Sequence, residues 1–87
     1  MSYKIFYSQE AEKYLGRLTS SKAKSILERI TYVAGDPFKP DNNITKLTGT
    51  ISSYRLRIGD LRVIYELDVK DKLMYVVKIK PRGSAYL

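Results

Sequence analysis

The chain has 87 residues, 44% of them hydrophobic, and no cysteine, histidine or tryptophan. Without cysteine there is no disulfide, thiolate nucleophile or cysteine-ligated zinc, and without histidine there is no imidazole acid/base pair or imidazole metal site. Sixteen basic and nine acidic side chains give a net charge of +7; residues 1–44 carry two of those surplus charges and residues 45–87 carry five. That excess points first to a polyanion such as nucleic acid and second to an acidic protein. The length suits one domain over residues 1–87, with a modest core.

Tyr3–Tyr7 is a short β-prone run and reads as a first strand. Ser8 follows as a candidate N-cap for a helix from Gln9 to about Leu18, with Glu10 and Glu12 at the end that favours negative charge. Thr19-Ser20-Ser21 is a turn and a second N-cap. The helix after it runs from about Lys22 to Ala34, because Ala23, Ile26, Leu27, Ile30, Val33 and Ala34 recur at helical spacing. Gly35 stands where a C′ glycine belongs, and Pro37 follows. The short link between the helices makes them a hairpin.

Residues 36–43 form a polar loop punctuated by prolines, and Ile44–Leu47 is extended or a short strand. Tyr54 to Tyr65 then reads as two strands joined by Gly59-Asp60. Glycine first in a two-residue turn suits type II′. That loop fixes the register: Ile58 faces Leu61, Arg57 faces Arg62, Leu56 faces Val63 and Tyr54 faces Tyr65. One face is then apolar. The other sets Arg57 directly against Arg62, which destabilises a sheet unless an anion is in view.

The last strand spans about Leu73 to Lys80, after a loop over residues 68–72. Its expected register pairs Leu67 with Leu73, Tyr65 with Tyr75, Val63 with Val77 and Leu61 with Ile79. A slip by one residue would drive Lys78 and Lys80 into the core. Lys78 then lies beside Arg62, and Ile64, Met74 and Val76 share the outer face. With the helices on the apolar face, the fold class is α+β: a small antiparallel sheet on an N-terminal helical hairpin, in the order β-α-α-β-β-β. No signal peptide or apolar run of spanning length is visible, so a cytoplasmic location is expected.

Arg55, Arg57, Arg62 and Lys78, with Lys80, Arg82 and Lys46 as neighbours, read as a phosphate-binding surface. The competing reading is a solvated sheet face whose charges discourage edge pairing. Three cations stacked across strands, with only Glu66 at hand, favour the first. Tyr86 in the tail is either a base-stacking side chain or an ordinary terminal anchor. Ile64, Met74 and Val76 suggest either a docking site or a patch covered by the chain itself. The aspartates sit in turns and show no metal-ligand spacing.

Lys46-Leu47, the run Tyr54 to Tyr65, and Lys80-Pro81-Arg82-Gly83-Ser84-Ala85-Tyr86 resemble the RelE branch of the RelE/ParE toxin superfamily, archaeal members in particular. The resemblance implies the toxin of a toxin–antitoxin pair, neutralised by a RelB-like antitoxin. It implies cleavage of mRNA in the ribosomal A site with no metal or other cofactor. The family's basic positions fall on Arg55, Arg57 and Arg62, and its C-terminal Arg and Tyr fall on Arg82 and Tyr86. On that footing Arg57, Arg62, Arg82 and Tyr86 are the catalytic set, and Arg55, Lys46, Lys78 and Lys80 bind RNA. Some RelE proteins carry Lys where this chain has Arg55 and Arg57, and arginine does not serve as a general base. The resemblance also leaves two alternatives: a ParE-like, non-enzymatic gyrase inhibitor, and an RNA- or ribosome-binding domain without cleavage.

Overall fold

The computed structural model describes residues 2–81. Its elements are β1 (Lys4–Tyr7), α1 (Gln9–Gly16), α2 (Ser20–Gly35), β2 (Ile44–Lys46), β3 (Ser53–Ile58), β4 (Leu61–Asp68) and β5 (Leu73–Pro81). The five strands form one sheet in the order β1-β5-β4-β3-β2. The sheet is mixed: β1 runs parallel to β5, and the other neighbours are antiparallel.

The β3–β4 hairpin has the register its sequence dictates, including Arg57 opposite Arg62. Gly59 takes φ +54° and Asp60 stays out of the left-handed region, as a type II′ turn requires. The helix caps also follow the sequence. Ser8 Oγ accepts from the Ala11 N–H at 3.0 Å, and Thr19 Oγ1 accepts from the Lys22 N–H at 3.2 Å. The C-terminus of α2 differs from expectation. Gly35 is its last residue and does not adopt a left-handed conformation; the chain leaves through Asp36 at φ −157° instead. Pro37 is buried just beyond.

The register of β5 departs from the straight-strand expectation, and the cause is a β-bulge. Leu67 pairs with Met74 and Tyr65 with Val76, but Ile64 pairs with Lys78 and Val63 with Ile79, so Val77 is the extra residue. Met74 and Val76 are therefore core residues rather than outer-face ones. Tyr75 and Val77 are exposed rather than buried. After the bulge the parity reverses, so Ile79 is also buried while Lys78 and Lys80 stay out.

Ser8 holds this irregularity in place. Its N–H donates to the Val76 carbonyl at 2.9 Å, and its Oγ donates to the Val77 carbonyl at 2.6 Å. One residue thus caps α1 and satisfies two carbonyls where the ladder is broken.

The core lies between the helices and one sheet face. Ala11, Ile26, Ile30, Val33 and Ala34 of the helices meet Leu56, Leu61, Val63, Tyr65, Leu67, Met74, Val76 and Ile79 of the sheet. Tyr65 is fully buried and stacks on Tyr54 with ring centroids 5.6 Å apart. Its hydroxyl has no hydrogen-bond partner among the described residues. Burial pushes its pKa well above the usual tyrosine value, so it stays neutral.

The loop after α2 is fastened by one ion pair. Arg29 Nη2 donates to Asp41 Oδ2 at 2.7 Å. Asp41 Oδ1 accepts the Asn43 N–H at 2.9 Å. The Arg29 guanidinium, then the Asn43 N–H, hold the Asp41 carboxyl below the usual range.

Tyr65→Phe deletes a buried, unpaired hydroxyl and should raise the unfolding free energy by about 1 kcal/mol in urea titrations, whereas Ile30→Ala should lower it by roughly 2–5 kcal/mol. Asp41→Asn should lower stability by on the order of 1 kcal/mol at neutral pH. The folded pKa of Asp41 lies below the unfolded value of about 3.9, so its contribution is complete above that value. As pH falls through the folded pKa the contribution disappears. The urea midpoints of wild type and Asp41→Asn should therefore begin to converge as pH falls below about 4 and meet only below the folded pKa.

Candidate functional site

The helices cover one face of the sheet and leave the other open. On the open face, strand pairing sets side chains in rows. Arg57 on β3 is opposite Arg62 on β4, and Arg62 is opposite Lys80 on β5. The neighbouring row is Thr45, Arg55, Ile64 and Lys78, across β2 to β5. Adjacent strands lie about 4.8 Å apart, so the first row places three cations side by side. The third cation beside Arg62 is Lys80, not Lys78 as the straight-strand register implied. The bulge at Val77 makes that exchange.

Lys46 does not join either row. Its partner is Tyr54, one position out of phase with Arg55, so it belongs to the helix-facing side of β2. Arg82 and Tyr86 lie outside the described residues.

Among the described residues, none of the row cations has a carboxylate partner. Arg29–Asp41 is the only ion pair among the described residues. Arg57 and Lys78 are exposed, and Arg55, Arg62 and Lys80 are partly so. Beside the first row is a polar cleft of about 190 Å³, lined by Asn42, Asn43, Thr45, Arg55, Arg57, Leu61 and Arg62. It is smaller than the roughly 300–1,000 Å³ of pockets that enclose whole ligands, and suits a phosphodiester group.

Arg57 is held from behind by a chain of contacts that starts on α2. Asn43, tied to Asp41 and so to Arg29, accepts the Arg57 backbone N–H at 2.8 Å. Its Oδ1 also accepts from Arg57 Nη2 at 3.5 Å. Asp41 and Asn43 were not singled out for the site from sequence, where they are merely loop residues before a strand. The readable signal was the Asp-x-Asn spacing, in which an Asp side chain caps the backbone two residues on.

This arrangement does two things chemically. The two guanidiniums offer forked donors, and the ammonium adds a third positive group. Together they can hold non-bridging phosphate oxygens and stabilise extra negative charge that develops there. No described tyrosine or carboxylate lies in the row to serve as a base.

The comparisons with known proteins agree with the geometry. A family model described as the ParE toxin of type II toxin–antitoxin system, parDE, matches residues 5–86. The protein named "Putative toxin RelE1" of Methanocaldococcus jannaschii is 30% identical over 87 residues, covering 99% of this chain and 97% of that protein. The crystal structure of the archaeal RelE–RelB complex from Pyrococcus horikoshii OT3 contains a chain 33% identical, with a TM-score of 0.82, covering 97% of this chain and 99% of that one. The isolated E. coli RelE toxin has the same fold at 19% identity, with a TM-score of 0.77 and coverage of 98% and 92%. The matched span and the two archaeal relatives show that the chain belongs to the RelE/ParE superfamily of type II toxin–antitoxin toxins.

Proposed function

We propose that this protein is a RelE-type endoribonuclease that cleaves mRNA in the ribosomal A site without a metal. The observation that carries this reading is the unpaired row Arg57–Arg62–Lys80 beside a phosphate-sized cleft. In the proposed step a ribose 2′-oxygen attacks the adjacent phosphorus. The 2′-hydroxyl loses its proton, the P–O5′ bond breaks, and the 5′-oxygen takes up a proton. The products are a 2′,3′-cyclic phosphate and a 5′-hydroxyl.

Arg57 and Arg62 hold the non-bridging oxygens as negative charge grows on them. Lys80 adds a third cation, and Arg55 and Lys78 engage the flanking phosphate. The family resemblance assigns Arg82 to the departing 5′-oxygen and Tyr86 to the proton of the nucleophile. With arginines at positions 55 and 57, much of the rate comes from positioning and charge stabilisation. The protein partner is a RelB-like antitoxin; RelB accompanies RelE in the P. horikoshii complex and in the intact E. coli RelBE complex. The setting is the cytoplasm, where ribosomes and message meet.

A second reading has one specific observation in its favour: the matching family model is that of ParE toxins. In that reading the protein binds DNA gyrase and catalyses nothing. The two archaeal relatives, both named RelE, favour the nuclease.

Purified ribosomes carrying a defined message should yield A-site cleavage with the wild-type protein. Arg62→Ala and Arg57→Ala should each lower the single-turnover rate by roughly 10²–10³-fold. Each should leave the urea midpoint unchanged or raised, because each relieves a like-charge pair. Full activity in both variants, or gyrase inhibition with intact message, refutes the assignment.

A further inference from the structure

The open face of the sheet changes character along its length. Near the Gly59–Asp60 turn it is cationic, and toward the far end it is aromatic. Phe6 and Tyr75 are register partners on β1 and β5. Their rings are stacked, with centroids 5.5 Å apart and planes inclined by 22°. They remain 40% and 41% exposed. Lys4 Nζ lies 5.4 Å from the centroid of the Phe6 ring. Across β4, Glu66 is the partner of Tyr75. With Ile51 and Val69, Glu66 and Tyr75 line a cleft of about 500 Å³ at this end of the sheet.

We propose that Phe6 and Tyr75 form a stacking platform for one base of a single-stranded RNA, and that Glu66 accepts a hydrogen bond from that base's exocyclic amino group. This rests on the RNA reading given above and extends it to a second subsite. The phosphates would run along the Arg57–Arg62–Lys80 and Arg55–Lys78 rows.

Continuity with those rows is the first argument. The bulge at Val77 restores Lys78 and Lys80 to the face that carries Tyr75. At about 3.3 Å per strand residue, Tyr75 stands roughly 10 Å from Lys78. A single strand leaving the cationic rows covers that span in about two nucleotides. Chemistry is the second argument. A preformed, half-exposed aromatic stack bordered by a lysine offers a flat π surface of the kind on which unpaired bases stack. The core does not account for the pair, because both rings lie on the face away from the helices. Charge is the third argument. Glu66 repels phosphate, so the backbone must stay on the Lys78 side and turn its base toward Glu66. A carboxylate accepts from the amino group of cytosine and finds no such donor on uracil.

The test uses the full chain and fluorescein-labelled hexacytidylate and hexauridylate, 2′-O-methylated to prevent cleavage, with anisotropy measured at low salt. Tyr75→Ala and Tyr75→Val, the latter keeping the strand preference, should each weaken hexacytidylate binding about tenfold, while Tyr75→Phe stays within about twofold. Replacing one nucleotide at a time with an abasic residue should reproduce the loss at a single position in wild type, with no further loss in Tyr75→Val. Wild type should prefer cytidylate, and Glu66→Met, which keeps the side chain's length and removes its carboxylate acceptor, should abolish that preference. Circular dichroism confirms that each variant is folded.

Unchanged affinity in the Tyr75 variants, with Arg62→Ala weakened, overturns the platform and leaves the phosphate row standing. Loss of RelB-like antitoxin binding with unchanged RNA affinity overturns it and gives the cleft to a protein partner. Failure of the wild-type protein to bind either oligonucleotide overturns both the platform and the RNA reading.

Discussion

The extra residue at Val77 is the constraint on which the rest of the structure depends. Strand β5 contains two apolar sets of opposite parity, Met74 with Val76, and Ile79. A straight strand cannot bury both. One straight register brings Lys78 and Lys80 into the core with Met74 and Val76. The other buries Tyr75, Val77 and Ile79 and turns Met74 and Val76 out to solvent. The bulge resolves this by changing parity once. It buries Met74, Val76 and Ile79, sends both lysines out, and leaves Tyr75 free to stack on Phe6. Ser8 makes the irregularity tolerable by satisfying the Val76 and Val77 carbonyls.

A sheet that sets Arg57, Arg62 and Lys80 side by side stores repulsion. Each like-charged cross-strand pair opposes folding by a few tenths of a kcal/mol up to about 1 kcal/mol. The opposing strength comes from the other side of the same strands, where Leu56, Val63 and Ile79 are buried. The Arg29–Asp41–Asn43 chain adds a local restraint by tying the loop before β2 to both α2 and Arg57. Arg57 is thus presented from a braced backbone, which limits the entropy lost when its guanidinium engages an anion.

Much of this was legible in the sequence. The Gly59-Asp60 turn fixes a two-residue loop, and the alternation on either side leaves one register that buries the apolar set, so the Arg57–Arg62 pair could be placed by number. The cap at Ser8 was equally readable, and the second was readable to within the run Thr19-Ser20-Ser21, because a hydroxyl before an amphipathic run has a local partner. The register of β5 was not. Its loop, residues 69–72, sets no phase, and the bulge is stabilised by Ser8, which is remote in sequence. The parallel pairing of β1 with β5 was hidden for the same reason. Lys46 was misplaced because β2 is short and its phase depends on β3. Asn43 escaped notice because the Asp-x-Asn spacing marks the turn it sits in but not its contact with Arg57, which lies fourteen residues on.

The division between the two faces follows from having only two helices. A hairpin of 8 and 16 residues covers one face of a five-stranded sheet and cannot wrap round to the other. The bare face must then be polar, or carry apolar groups that something else will cover. Both solutions appear on it, cations at the hairpin end and the Phe6–Tyr75 stack at the other. Because side chains alternate along β3 and β4, the residues there that build the core fix the phase of those that face solvent. The cationic rows are therefore not free to drift: moving Arg62 out of line with Arg57 would also expose Val63, and the hydrophobic cost of that shift is what keeps three mutually repelling charges in register.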